Sequence, residues 1–158
     1  MDKELKQEFV RRIAESNRSE LIVVLYDMAD CYMELADTAR KEKKWEEFKR
    51  QVELAENVVA RLIEDLNFEY EIAGELYRLY RYCQVELAKE KAIRTGDGLE
   101  HARMVMRNLY PGICGMAKAD DSEPMMQNTQ KIVSGMTYNK TNLTDTFQDP
   151  EQSRGFLV

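Results

Sequence analysis

WEEFKRQVELAENVVARLIEDL, residues 45–66, settles the class of fold. Its apolar residues Trp45, Phe48, Val52, Ala55, Val59, Leu62 and Leu66 alternate steps of three and four. That spacing lines them along one side of an α-helix, and a neighbour must cover them. The same spacing recurs upstream at Leu21, Leu25, Met28, Tyr32, Leu35 and Ala39, and downstream at Leu99, Ala102, Met106, Leu109, Ile113 and Met116. A fourth segment, from about Glu69 to Lys91, carries a less strict stripe of Ala73, Leu76, Tyr80, Cys83 and Leu87. The breaks are equally legible. Asn17 stands three residues before Glu20, the pattern of an N-cap with its capping-box partner. Lys41-Glu42-Lys43-Lys44 is a solvated connector, Asn67-Phe68 marks a tight turn, and Thr95-Gly96-Asp97-Gly98 is a stop and restart. Pro111-Gly112 inside the last helical pattern predicts a kink or an early end.

Short connections between long helices imply antiparallel neighbours. The expected fold is therefore all-α: an antiparallel up-and-down four-helix bundle. A short N-terminal helix over Asp2 to Glu15, with Leu5, Phe9 and Ile13 at steps of four, lies on it. The bundle domain is set at residues 1–118. From Ala119 the composition turns polar, and residues 119–158 are expected to form an irregular C-terminal extension docked on the bundle. Its apolar anchors are Met136, Tyr138, Leu143, Phe147, Phe156 and Leu157. Two readings of this extension stand: it wraps the bundle as structure, or it is a tethered ligand at high effective concentration.

The 158 residues suffice for one domain with its own core, without disulfide or metal staples. A balance of 44% hydrophobic to 33% charged residues is that of a folded chain rather than a disordered one. Twenty-three basic against 29 acidic residues give a net charge of −6, which argues against a nucleic-acid partner. The longest apolar run, Leu21 to Tyr26, is far short of the ~20 residues of a membrane span, so no membrane insertion is expected. The N-terminus lacks the apolar centre of a secretory signal. Cys31, Cys83 and Cys114 are scattered and odd in number, the usage of a reducing compartment. A cytoplasmic location is the expectation.

Chemistry is scarce. The single histidine, His101, excludes a di-iron bundle, which needs two Glu-x-x-His pairs. A zinc site from the three cysteines and His101 is arithmetically possible, but no two of them come as a close pair. Phosphate loops, dinucleotide-binding glycines and nucleophile elbows are missing from the sequence. The expectation is a binding protein with no catalytic residue, cofactor or metal.

The first long helix carries more apolar surface than one stripe requires. Ile22, Tyr26, Ala29, Met33 and Ala36 form a second arc, turned roughly 100° from the first. Either the short N-terminal helix covers this arc, or it is a groove for a partner's amphipathic helix. The helix's polar remainder, Asp27, Asp30, Glu34 and Asp37, is uniformly acidic. Tyr70, Tyr77, Tyr80 and Tyr82 cluster further on, and tyrosine suits a surface that is sometimes dry and sometimes wet. Nine methionines add adaptable apolar bulk.

Three stretches carry a family likeness: Asn17 to Ala29 with its Leu25-Tyr26-Asp27; Leu66-Asn67-Phe68-Glu69 with Glu71-Ile72-Ala73, Leu76, Leu79 and Tyr80; and Tyr138-Asn139-Lys140 with Leu143-Thr144 and the closing Arg154-Gly155-Phe156. In this order they resemble the flagellin-specific export chaperones, the FliS family. Met28 stands where the family usually has glycine, and two glycines usual before Glu71 are absent. The resemblance implies a cytoplasmic chaperone that binds the C-terminal segment of flagellin, prevents premature polymerisation and aids flagellar type III export. The export apparatus is then a possible second partner. The candidate partner-binding residues are Ile22, Leu25, Tyr26, Asp27, Ala29, Met33, Ile72, Leu76 and Tyr80. The alternative is a non-enzymatic helical adaptor or regulatory bundle that binds another amphipathic helix.

Overall fold

The computed structural model describes residues 3–126. Among them are five helices and no strand: α1 Lys3–Glu15, α2 Arg18–Lys41, α3 Trp45–Glu64, α4 Ile72–Ile93 and α5 Asp97–Lys118. Helix α2 packs against α3 and α5, and α4 against the same two, so the four long helices close a ring around one core. Helix α1 lies on α2. The anchors from Met136 to Leu157, and with them both readings of the extension, lie outside the described residues.

The spacing in α3 and α5 translates directly into burial. Phe48, Val52, Ala55, Val59 and Leu62 of α3 face inward, as do Leu99, Ala102, Met106 and Ile113 of α5. Trp45 and Met116, placed in these stripes by their spacing, are exposed instead. In α2 the two arcs exchange roles. Ala29, Met33 and Ala36 are completely buried and form the centre of the core, with Tyr26 beside them. Leu21, Met28, Tyr32 and Leu35, which the heptad spacing assigned to the core, are half-buried flanks. The reason is that α2 has three neighbours and buries a wide arc, with its small residues where the other helices approach most closely.

Helix α2 begins as expected: the Asn17 side chain accepts from the Glu20 backbone N–H at 2.8 Å, and the Glu20 carboxylate accepts from the Asn17 N–H at 2.9 Å. The Asn17 amide nitrogen also donates to the carbonyls of Asp120 and Ser122, both at 3.1 Å. With Met125 N–H donating to the Ser16 carbonyl, these bonds lay the chain that leaves α5 across the α1–α2 joint. Helix α4 starts at Ile72, later than its periodicity suggests, because the Asn67 side chain accepts from Glu69 N–H and holds a turn first. Helix α5 runs through Pro111 without ending. The proline lies on an exposed face, where the carbonyl it leaves unbonded can be hydrated.

The α4–α5 turn is organised by one buried carboxylate. Arg94 and Gly96 both adopt left-handed backbone, with φ of 60° and 97°. Glu90, 2% exposed, accepts from the N–H of Gly96 at 2.6 Å and of Gly98 at 3.0 Å. Gly98 has no room for a side chain, since a Cβ there would stand 2.5 Å from the Glu86 carbonyl. Replacing Glu90 by alanine strands two backbone donors, so urea denaturation of the Glu90→Ala variant should show a loss of about 2 kcal/mol or more. An unchanged midpoint would mean that the turn holds without it.

Candidate functional site

The candidate residues of α2 and α4 divide by depth. Tyr26, Ala29, Met33 and Tyr80 are buried in the bundle core, and Leu25 nearly so. Ile22 and Leu76 are half-buried, and Ile72 is 66% exposed. In the packed bundle the buried group meets other helices rather than solvent, because α2 is enclosed by α1, α3 and α5. The Tyr26 and Tyr80 hydroxyls share a hydrogen bond of 2.8 Å, with the rings edge to face at 6.3 Å. Burial pushes both phenols above their ordinary range. Tyr110 of α5 leans on Tyr26 and donates its hydroxyl to Asp27 at 2.7 Å, while Arg12 of α1 reaches the other Asp27 oxygen at 2.6 Å. Asp27 thus joins three helices.

The acidic face of α2 is met from within the molecule. Arg103 of α5 holds Asp30 at 2.8 Å and approaches Glu34 at 3.6 Å, and Arg107 lies 3.5 Å from Asp30. Against the opposing pull of burial, these guanidiniums keep the Asp30 carboxyl below its usual range. Asp37 pairs with Arg40 and Lys41 of its own helix. A shallow cleft of about 250 Å³ remains between α2 and α5, walled by Tyr26, Asp27, Asp30, Met106, Arg107 and Tyr110.

Much of the uncovered apolar surface is on α4. Ile72, Leu79, Tyr82 and Ile93 are all exposed, at steps that keep them on one side of the helix. Glu86 belongs to the same side and accepts from His101 of α5 at 2.8 Å, so this row runs beside the α4–α5 seam. Sequence reasoning named Ile72 as a candidate, Tyr82 as one of a tyrosine cluster and Leu79 only within the family likeness, and did not name Ile93. The available signal was the irregularity of α4 itself, which carries more large apolar residues than its core stripe employs.

Little here can do covalent chemistry. Among the described residues no three His, Cys, Asp or Glu side chains are grouped closely enough to hold a metal ion. Cys31, Cys83 and Cys114 are free thiols. Cys83 is fully buried, faces the Ala102 carbonyl, and is pushed up to about 12 by burial, which makes it an inert core residue. No described helix is long and apolar enough to cross a membrane.

Comparison with protein families places a match over residues 1–112, to the family described as flagellar protein FliS. Comparison with curated proteins returns no match.

Two measurements probe this geometry. Tyr26→Phe leaves the Tyr80 hydroxyl buried without its partner and should cost about 1–3 kcal/mol, whereas adding Tyr80→Phe should restore part of the loss. Additive losses in that double-mutant cycle would show that the hydroxyls do not interact. The second concerns His101. Its hydrogen bond to Glu86 raises its pKa, while Lys89 and then His101 hold Glu86 below the carboxylate range. While Glu86 is ionised, the stabilisation from the pair is therefore full below the unfolded-state value of about 6.5 and fades as pH rises through the higher folded value. It is lost again in acid as pH falls through the depressed Glu86 value. The chain's single histidine should titrate above about 6.5 by NMR and move down in Glu86→Gln.

Proposed function

The chain belongs to the flagellar protein FliS family, and from that premise we propose that it is a cytoplasmic export chaperone for the C-terminal segment of flagellin. It would cover the segment's apolar face, keep it from polymerising early and pass it to the flagellar export apparatus. The observation that carries this reading is the exposed row Ile72, Leu79, Tyr82 and Ile93. The bundle's interior is already filled by other residues, so this row adds nothing to its packing. An amphipathic client helix laid along it would remove it from water.

Within this proposal the candidate residues take two roles. Ile72 and Leu76 meet the client, together with Leu79 and Tyr82. Ile22, Leu25, Tyr26, Asp27, Ala29, Met33 and Tyr80 fix the helices that present that surface. We infer too that the four long helices alternate in direction. The pairs Asp27–Tyr110 and Asp30–Arg103, and likewise Cys83–Ala102 and Glu90–Gly98, support this, since one partner's number rises as the other's falls. Binding by coupled folding gives up affinity to the ordering of the client and in return allows release.

Calorimetric titration with a synthetic peptide of flagellin's last ~40 residues tests the reading, with one-to-one binding and a strongly negative heat-capacity change expected. Ile72→Asp or Tyr82→Asp should weaken that binding at least about tenfold while leaving thermal unfolding unchanged. A peptide that fails to bind would favour the adaptor reading instead. Equal binding by both variants would move the client off this face.

A further inference from the structure

We propose that the tip of the bundle at the α3–α4 turn is a second docking surface, fitted to a cationic, apolar-bearing segment of a partner protein. Phe68 and Tyr70 project from this turn 63% and 66% exposed. The Phe68 ring stands edge to face on Tyr77 of α4 at 6.0 Å, so it is held out into solvent on a helical support. Two large aromatic side chains so uncovered are costly to leave in water, and beyond the Phe68–Tyr77 contact neither is part of the buried core.

What surrounds them identifies the partner. Between positions 61 and 78 the chain carries Glu64, Asp65, Glu69, Glu71 and Glu75 against Arg61 and Arg78 alone. Arg61 is engaged by Glu64 and Asp65, and Arg78 by Glu75. Glu69 and Glu71 form no salt bridge among the described residues. An apolar patch flanked by two carboxylates without a cationic partner among the described residues, Glu69 and Glu71, in a stretch of net negative charge attracts a segment with lysine or arginine interleaved with apolar residues. It repels nucleic acid and anionic lipid. A second copy of this chain, at net charge −6, is disfavoured for the same reason. The surface adjoins the proposed client face at Ile72, and Tyr82, further along α4 on the client face, tells the two apart.

The test uses the full chain and a labelled amphipathic peptide built of lysine and leucine, with a glutamate-and-leucine peptide of the same pattern as its counterpart. Fluorescence anisotropy should show binding of the first and not the second, weakening with added salt. Glu69→Gln/Glu71→Gln should weaken it about fivefold or more, and Phe68→Ser/Tyr70→Ser should abolish it. A control of equal charge change on exposed α3, Glu46→Gln/Glu53→Gln, should leave it unaltered, as should Tyr82→Asp on the client face. Circular dichroism of each variant guards against unfolding. The proposal is overturned if the control weakens binding as much as the tip variants, if Phe68→Ser/Tyr70→Ser binds like the parent, or if Tyr82→Asp abolishes binding. Self-association of the chain that the tip variants remove would assign the surface to a second copy and overturn it as well.

Discussion

Helix α2 must satisfy three neighbours at once, and the arrangement of the chain follows from how it does so. Its contacts with α3 and α5 close the ring of long helices, and its contact with α1 anchors the N-terminal helix. A helix enclosed on three sides needs small side chains where the others approach and polar groups only where a partner stands ready. Ala29, Ala36 and Ala39 meet the first requirement. Asp27 and Asp30 meet the second, held by Arg12, Tyr110 and Arg103 from α1 and α5. Both carboxylates keep part of their surface in water, so these donors offset a partial desolvation rather than the full cost of a buried charge.

The parts of the fold legible in the sequence are those governed by local rules. The stripes of α3 and α5 are buried much as their spacing requires, and Asn17 caps α2 with Glu20 as its partner. Less legible was anything decided by how many neighbours an element has. Both apolar arcs of α2 were visible, but periodicity alone could not rank them, since Leu21 and Met28 are larger and more hydrophobic than Ala29 and Ala36. Pro111 was read as a break by the general cost of proline. It is tolerated because its face of α5 looks outward.

The site was legible only at its edges. Ile72 is named by the sequence and exposed in the structure, whereas Tyr26, Met33 and Tyr80 are named and buried. A tyrosine's pattern does not reveal whether its hydroxyl meets water or another hydroxyl, and the Tyr26–Tyr80 pair is the second case. Leu79 and Ile93 are ordinary helix residues whose significance comes solely from what fails to cover them. In the sequence that exposure leaves only the surplus of large apolar residues in α4 over its core stripe.

Asn17 carries a consequence for which residue can occupy its position. Serine, threonine and aspartate cap helices about as well, because capping asks only for a side-chain acceptor. At this position the same side chain also donates to two carbonyls, those of Asp120 and Ser122. Aspartate has no hydrogen to give and a hydroxyl has one, so asparagine alone among the good caps can close both bonds. Substitutions that look silent for the helix would therefore remove two of the bonds that hold the segment a hundred residues downstream, and the start of α2 and the exit from α5 are tied in sequence as well as in space.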